Sequence, residues 1–413
     1  MRKKPFFYGW WIVISCAVIS FWGGGVFYSL SCFVKPIAEE FGWTYLAVSL
    51  ALSLRSMELG LLAPVTGFLT DKFGPRKITF CSTLITGAGF FLLSQTSSLA
   101  VFYVAFGILS IGATGFGQVV TMTAVANWFN KKIGRATGVV VSGYGAGGVL
   151  VPLIAWFITR YGWRETLVLL SLATCVVLLP ISLIVRHKPE EHGYLPDGES
   201  PRSLQAWQPE MDPVYPTEVE FTPGQALKTR TFWFIGFAFA IPFMVYGAVA
   251  THVMPCFASL GLPQEKAALV AMFIPLSTIV GRLSFGWLGD VLNKKNLFAA
   301  TLFLQAIGMA FFYAAGTLWQ LVVFLVFFGP AYGGTVTLRS AILREHFGRR
   351  AFGSIQGLIT GVMTVGGIIG PAYAGWVFDT RGSYKMGWLS FIVPMMAGVP
   401  VILSIKKSQP WKD

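Results

Sequence analysis

Gly281-Arg-Leu-Ser-Phe-Gly-Trp-Leu-Gly-Asp290 places a full positive charge, Arg282, inside an apolar run that extends from Ala267 to Leu288. An unpartnered charge at the centre of a membrane helix costs roughly 2.5–3.5 kcal/mol on insertion scales, so an intramembrane arginine is a functional candidate by default. The same stretch carries Gly286-x-x-x-Asp290, a spacing that also occurs at Gly67-x-x-x-Asp71, 219 residues earlier. An identical offset relates Gly147-Gly148-x-x-x-Pro152 to Gly366-Gly367-x-x-x-Pro371. Matching residues at one repeated offset indicate a duplicated half.

Composition decides the solvent. Hydrophobic residues make up 54% of the 413 and charged residues only 12%, against about 25% charged in a soluble domain. That deficit cannot be hidden in one core and points to a chain embedded in lipid. The net charge of +13 does not indicate nucleic acid, because the basic residues sit in short groups between apolar runs, where membrane topology places them. Five cysteines all fall within apolar segments, which argues against a disulfide framework or a metal site. The first apolar run, Tyr8 to Val34, is too long for a signal peptide.

About twenty apolar residues cross a bilayer as helix. That ruler predicts twelve spans, near 8–34, 45–70, 78–95, 100–128, 136–159, 165–185, 232–259, 265–289, 296–315, 319–343, 352–378 and 384–405. The fold class expected is all-α, two pseudo-symmetric six-helix bundles at 1–185 and 232–413 joined by a linker at 186–231. Loops on the side of the termini hold 22 lysines and arginines, and loops on the other side hold 6. The positive-inside rule therefore predicts both termini and the linker in the cytoplasm. The linker has eight carboxylates and seven prolines, a composition that does not build a core. At its end Thr222-Pro223-Gly-Gln225-Ala-Leu-Lys228 reads as a capped surface helix.

Gly67-Phe-Leu-Thr-Asp71-Lys72-Phe-Gly74-Pro-Arg76-Lys77 resembles the loop signature of the major facilitator superfamily, and it sits between spans two and three, as it does there. Tyr161-Gly-Trp-Arg164 before span six is another shared feature. Tyr8-Gly-Trp-Trp11, Ala226-Leu-Lys-Thr-Arg-Thr-Phe-Trp233 and Arg282 resemble the monocarboxylate transporter and oxalate/formate antiporter group. The resemblance implies a secondary active transporter that moves a small organic anion, a monocarboxylate, by alternating access. Coupling would be proton symport or anion exchange, in the plasma membrane, with the monomer as the functional unit. It implies no enzyme activity and no cofactor. A transporter of a neutral or drug-like solute on the same fold is the alternative. Departures from the group matter: Tyr28 stands where many relatives carry a span-one lysine, Thr278 where they carry an aspartate, and span eleven has no charged residue between Phe352 and Phe378.

Several residues carry candidate chemistry. Arg282 lies about 12 Å inside the span at ~1.5 Å per residue from Asp290, deep for a snorkelling cation, and guanidinium pairs bidentately with carboxylate. Tyr28, Tyr332 and Gln118 are further substrate-contact candidates, each equally readable as an interhelical hydrogen-bonding residue. His252 titrates in a useful range, and Glu58 with Arg55 shares one face of span two; these are the proton-coupling candidates, with mutual neutralisation or simple hydrogen bonding as the structural alternative. The resemblance makes Gly67, Asp71, Arg76, Arg135, Gly286 and Asp290 candidates for a latch holding one access state, in which a carboxylate meets a helix N-terminus or an arginine such as Arg135; a solvated loop charge is the alternative. Arg339, near the end of span ten, reads as a snorkelling cation with gating as the alternative, and Tyr384 reads as a polar-tipped span residue, with an interhelical hydrogen bond or a place in the outer aromatic belt as the alternatives. Gly143-Tyr-Gly-Ala-Gly-Gly148 matches a dinucleotide fingerprint, but no strand precedes it; its small residues suit close helix packing.

The charge asymmetry generates a topology test. In a cysteine-free background, Ser203→Cys should be unreactive to an impermeant maleimide in intact cells and reactive after permeabilisation; strong labelling of intact cells contradicts the orientation.

Overall fold

A computed structural model of the chain describes residues 7–198, 220–259 and 264–405. These residues are helical with short connections. Among them, ten helices are long and apolar enough to cross a membrane. Tyr45–Phe73 and Gln264–Val291, more charged but as long, complete the twelve. Most observed ends lie within a few residues of the hydropathy ruler. Span ten runs further than expected, Leu318–Phe347, so Arg344 and His346 are buried residues of its last turn and not loop residues.

Local chemistry fixes where helices start. Thr44 and Ser98 accept the backbone N–H of Ala47 (3.2 Å) and Val101 (3.4 Å), and Asn293 accepts those of Lys295 and Asn296, each satisfying donors that a helix leaves open. The Thr222 segment forms the helix Pro223–Lys228 with a complete capping box: the Thr222 hydroxyl takes the Gln225 N–H and the Gln225 amide oxygen takes the Thr222 N–H. Among the described residues, three spans are broken. Span one divides into Gly9–Ser29 and Ser31–Phe41; span four passes through a 3₁₀ turn, Thr114–Phe116, before Gln118–Trp128; span five passes through Gly147–Val149.

The chain folds into two compact units. One comprises Met1–Lys131, Val139–Glu220 and Gly348–Leu358; the other comprises Lys132–Gly138, Phe221–Phe347 and Ile359–Asp413. Each therefore contains the opening turns of a helix that continues in the other unit. The first has a core that includes Phe90, Phe102, Leu109 and Leu167. The second has one that includes Val249, Met309, Phe324 and Trp388.

In the first unit an ion pair outside the apolar run of span one, which ends at Val34, ties the end of the helix Ser31–Phe41 to the start of span six. Arg164 places Nη2 2.8 Å from Glu40 Oε1, donates also to the carbonyls of Ser94 and Thr96, and lies over the Trp163 ring. Trp163 Nε1 donates to the other oxygen of Glu40. The hydrogen bond from Arg164 holds the Glu40 carboxyl below the usual glutamate range, against a smaller opposing effect of burial. A depressed carboxylate contributes stability that is present above its unfolded pKa and is lost as pH falls through the folded value. The pair is partly exposed, so its contribution is small. Glu40→Gln should lower thermal stability by about 0.2–1 kcal/mol near neutrality, and the difference from wild type should vanish below the carboxylate range. Thermal unfolding in detergent across pH measures this; a constant difference at every pH contradicts the ion-pair origin.

Candidate functional site

The duplicated Gly-x-x-x-Asp elements end spans two and eight, and the structure shows what they grip. Asp71 accepts the backbone N–H groups of Gly353 (2.9 Å) and Ser354 (2.7 Å) and the Ser354 hydroxyl (2.6 Å). Asp290 accepts the N–H groups of Gly134 (2.6 Å) and Arg135 (3.1 Å), with Arg135 Nε 3.4 Å away. Gly134 and Arg135 precede Gly353 and Ser354 by the same 219 residues. The two carboxylates thus perform one operation twice: each satisfies open N–H groups in the first turn of a helix and sits where the helix dipole favours an anion. Arg135 pairs with Asp290. The Val291–Lys295 loop lacks the glycine and arginine of the signature, yet Asp290 makes the same contact, since a carboxylate and two N–H groups suffice for it. Arg76 is exposed on the first turn of Pro75–Ser94.

Gly67 and Gly286, one turn back, allow these contacts. A Cβ on Gly67 would overlap the Gly353 carbonyl oxygen, and one on Gly286 would lie 2.6 Å from the Gly134 carbonyl oxygen. Backbone meets backbone at both places, which any side chain would prevent.

Arg282 is buried, 6% exposed, on Gln264–Val291. Its backbone is locked against span ten: the Thr337 hydroxyl lies 3.3 Å from its carbonyl oxygen, and a Cβ on Gly333 would meet its N–H at 3.0 Å. Tyr332, beside Gly333, is buried and stacks face to face on Tyr246, with ring centroids 3.9 Å apart and planes 3° apart. Arg339 is also buried, with Nη1 3.0 Å from the Met363 sulfur. It is an interior cation and does not snorkel. In the second unit spans seven, eight and ten therefore gather two buried guanidinium-bearing residues and a stacked tyrosine pair. The Tyr246–Tyr332 stack and the Met363 contact left no periodic trace in the sequence, because they depend on which helices are neighbours.

His252 bridges two helices. Its Nε2 is 2.9 Å from the Pro371 carbonyl oxygen and its Nδ1 is 3.2 Å from the Tyr384 hydroxyl. A carbonyl can only accept, so Nε2–H donates to Pro371, and Nδ1 forms the second hydrogen bond with the Tyr384 hydroxyl. Tyr384 is buried, stacked on Phe378 and Trp388; it is an interior residue and not part of an aromatic belt.

In the first unit Tyr28 is half-buried and meets Phe27 and Tyr144 edge-on, with centroids 5.4 and 5.8 Å away. Gln118 opens the helix Gln118–Trp128 directly after the break in span four. The side chains of Arg55 and Glu58 lie outside the described ones.

Comparison with known proteins agrees with this architecture. The model of the Major Facilitator Superfamily matches residues 10–290 and 257–413. The chain belongs to that superfamily and is an integral membrane transporter of a small solute, not an enzyme. Among curated relatives it is 26% identical to monocarboxylate transporter 12 of Mus musculus, covering 98% of this chain and 89% of that protein. It is 24% identical to monocarboxylate transporter 13 of Rattus norvegicus, covering 96% and 89%. Among solved structures it superposes on the proton:xylose symporter XylE with a TM-score of 0.74 at 15% identity, covering 96% of this chain and 94% of that one.

The close approach at Gly353 yields a stability test. A Cβ there would meet Asp71 Oδ1 at 2.7 Å and the Gly67 carbonyl oxygen at 2.8 Å. Gly353→Val should cost about 1–3 kcal/mol by overpacking, read as a lowered melting temperature in detergent. An unchanged melting temperature would show that the contact yields freely.

Proposed function

We propose that this chain is a secondary active transporter that moves a small organic anion, a monocarboxylate, across the plasma membrane by alternating access. The burial of Arg282 carries the reading. A guanidinium held inside a membrane helix is costly, and its planar fork of donors matches a carboxylate bidentately. The names of the curated relatives support the same substrate class. Tyr332, Tyr28 and Gln118 supply neutral donors for the rest of the solute. The chain acts as a monomer with both termini cytoplasmic.

Coupling is to protons or to a counter-anion. His252 is the candidate for the first. Its Nδ1 can take a proton and then donate to Tyr384, so charging the ring need not break the bridge. Glu58 and Arg55 remain candidates on span two. Asp71 and Asp290 are the latch residues: alternating access requires both helix-start contacts to release and re-form in each cycle.

Two measurements test these roles. Arg282→Gln keeps hydrogen-bonding capacity and removes the charge, so affinity for carboxylates should fall by about 2–5 kcal/mol for a desolvated pair. Arg282→Lys keeps the charge without the fork and should not rescue it. Binding of labelled L-lactate and pyruvate in detergent, beside a melting curve, reads both; wild-type affinity in folded Arg282→Gln protein ends the carboxylate reading and favours a neutral solute. Asp71→Asn should slow uptake while leaving affinity within a few fold. A large affinity loss in folded Asp71→Asn protein would move Asp71 into the binding site.

A further inference from the structure

The turn that leads into span eleven is gripped by more than Asp71. Within the first unit, residues 186–198 follow span six and are fastened to the end of span four. Trp128 Nε1 donates to the Arg186 carbonyl (3.2 Å), and Asn127 Nδ2 to the His187 carbonyl (3.1 Å). The His187 ring lies against Gly74 of the signature loop, where a Cβ would meet it at 3.1 Å. Tyr194 stacks on Tyr8, and the Arg186 guanidinium lies 4.1 Å over the same Tyr8 ring.

The far end is pegged by Asp197. One of its carboxylate oxygens accepts the N–H groups of Asn130 (3.0 Å) and Lys131 (2.8 Å). Asp197 holds φ at 58° and is the one described non-glycine residue in the left-handed region. Such a conformation carries a cost and persists where surrounding contacts impose it. A passive tether between two bundles needs length and no such peg.

From this pegged segment Glu190 reaches an ion pair with Arg349, whose Nη1 also lies 3.3 Å from the Asn127 carbonyl oxygen. Next to it, Glu220 accepts the Arg350 N–H at 2.8 Å. Arg349, Arg350, Gly353 and Ser354 follow one another in the chain, so three carboxylates, Glu190, Glu220 and Asp71, hold one short stretch that by sequence belongs to the second half.

We infer that residues 186–198 are a strap that stabilises the clamped state of this stretch, with Asp197 as its fixed peg and the Glu190–Arg349 pair as its releasable catch. These are positioning residues, which act on the conformational equilibrium and not on the solute. The inference rests on the alternating-access reading and is independent of what the solute is. It assigns to the linker a share of the work that the latch carboxylates were expected to do alone.

The test needs no substrate. In full-length, cysteine-free protein, spin labels at Lys77→Cys, on the first turn of Pro75–Ser94, and at Leu292→Cys, just after span eight, report the separation of these two sites by pulsed electron resonance. Glu190→Gln and Arg349→Gln should each raise the population of the longer-distance state by about two- to fivefold, the range of one partly exposed ion pair. Asp197→Asn should shift it in the same direction with the pair intact, and the exchange Glu190→Arg with Arg349→Glu should restore the wild-type distribution. Distributions unchanged in the single variants, or an exchange no better than either single, overturn the strap. Asp71→Asn, measured alongside, separates the two ideas: a shift there with silent strap variants refutes the strap alone, and silence in all of them refutes the latch reading as well.

Discussion

Helices in lipid gain little from burying one apolar side chain against another, because the acyl chains are as apolar as leucine. What distinguishes a correct neighbour is close contact and the satisfaction of polar groups. The fold depends on this constraint. Gly67 and Gly286 have no side chain, so backbone can meet the backbone of Gly353 and Gly134. At that distance a carboxylate one turn on can reach the open N–H groups of the approaching helix. Glycine and aspartate four residues apart are therefore one device. It appears twice because the chain is duplicated, and its operation explains why each compact unit includes the first turns of a helix from the other sequence half.

The same constraint shapes the interior. Gly281 backs onto the Pro330 carbonyl, and Gly333 onto the Thr278 carbonyl, so spans eight and ten lie in backbone contact along the turn that leads into Arg282. A long cation held on such a rigid pair of helices loses little further freedom when it binds an anion, and preorganisation of this kind favours affinity. Tyr332 of span ten and Tyr246 of span seven form a stacked pair whose rings are fixed in mutual contact.

Much of this was legible in the sequence, for physical reasons that differ by feature. Spans follow from the length of helix needed to cross hydrocarbon, and the helix at Thr222 from local capping chemistry that needs no tertiary partner. The duplicated glycine–aspartate pair was visible as a repeat. Its grip was not, because pairing Asp71 with residue 353 and Asp290 with residue 134 requires knowing which helices are adjacent. The same ignorance of neighbours leaves Tyr384 open between an interhelical hydrogen bond and an aromatic belt, where the structure has it bonded to His252 and stacked on Trp388, and makes Arg339 a snorkelling cation when it contacts Met363. Asp197 and Glu190 lay in a stretch whose composition reads as an unstructured linker; their roles depend on single contacts that leave no periodicity.

The central claim is that a buried guanidinium selects a carboxylate as the solute. The most direct measurement is uptake into proteoliposomes holding the purified chain, with a panel of labelled small monocarboxylates, dicarboxylates and neutral sugars, with and without an imposed pH gradient or internal anion. The account predicts saturable uptake of a monocarboxylate, competed by other monocarboxylates and not by sugars, and driven by the proton gradient or by the internal anion. Saturable uptake confined to neutral solutes, indifferent to every carboxylate in the panel, would contradict it.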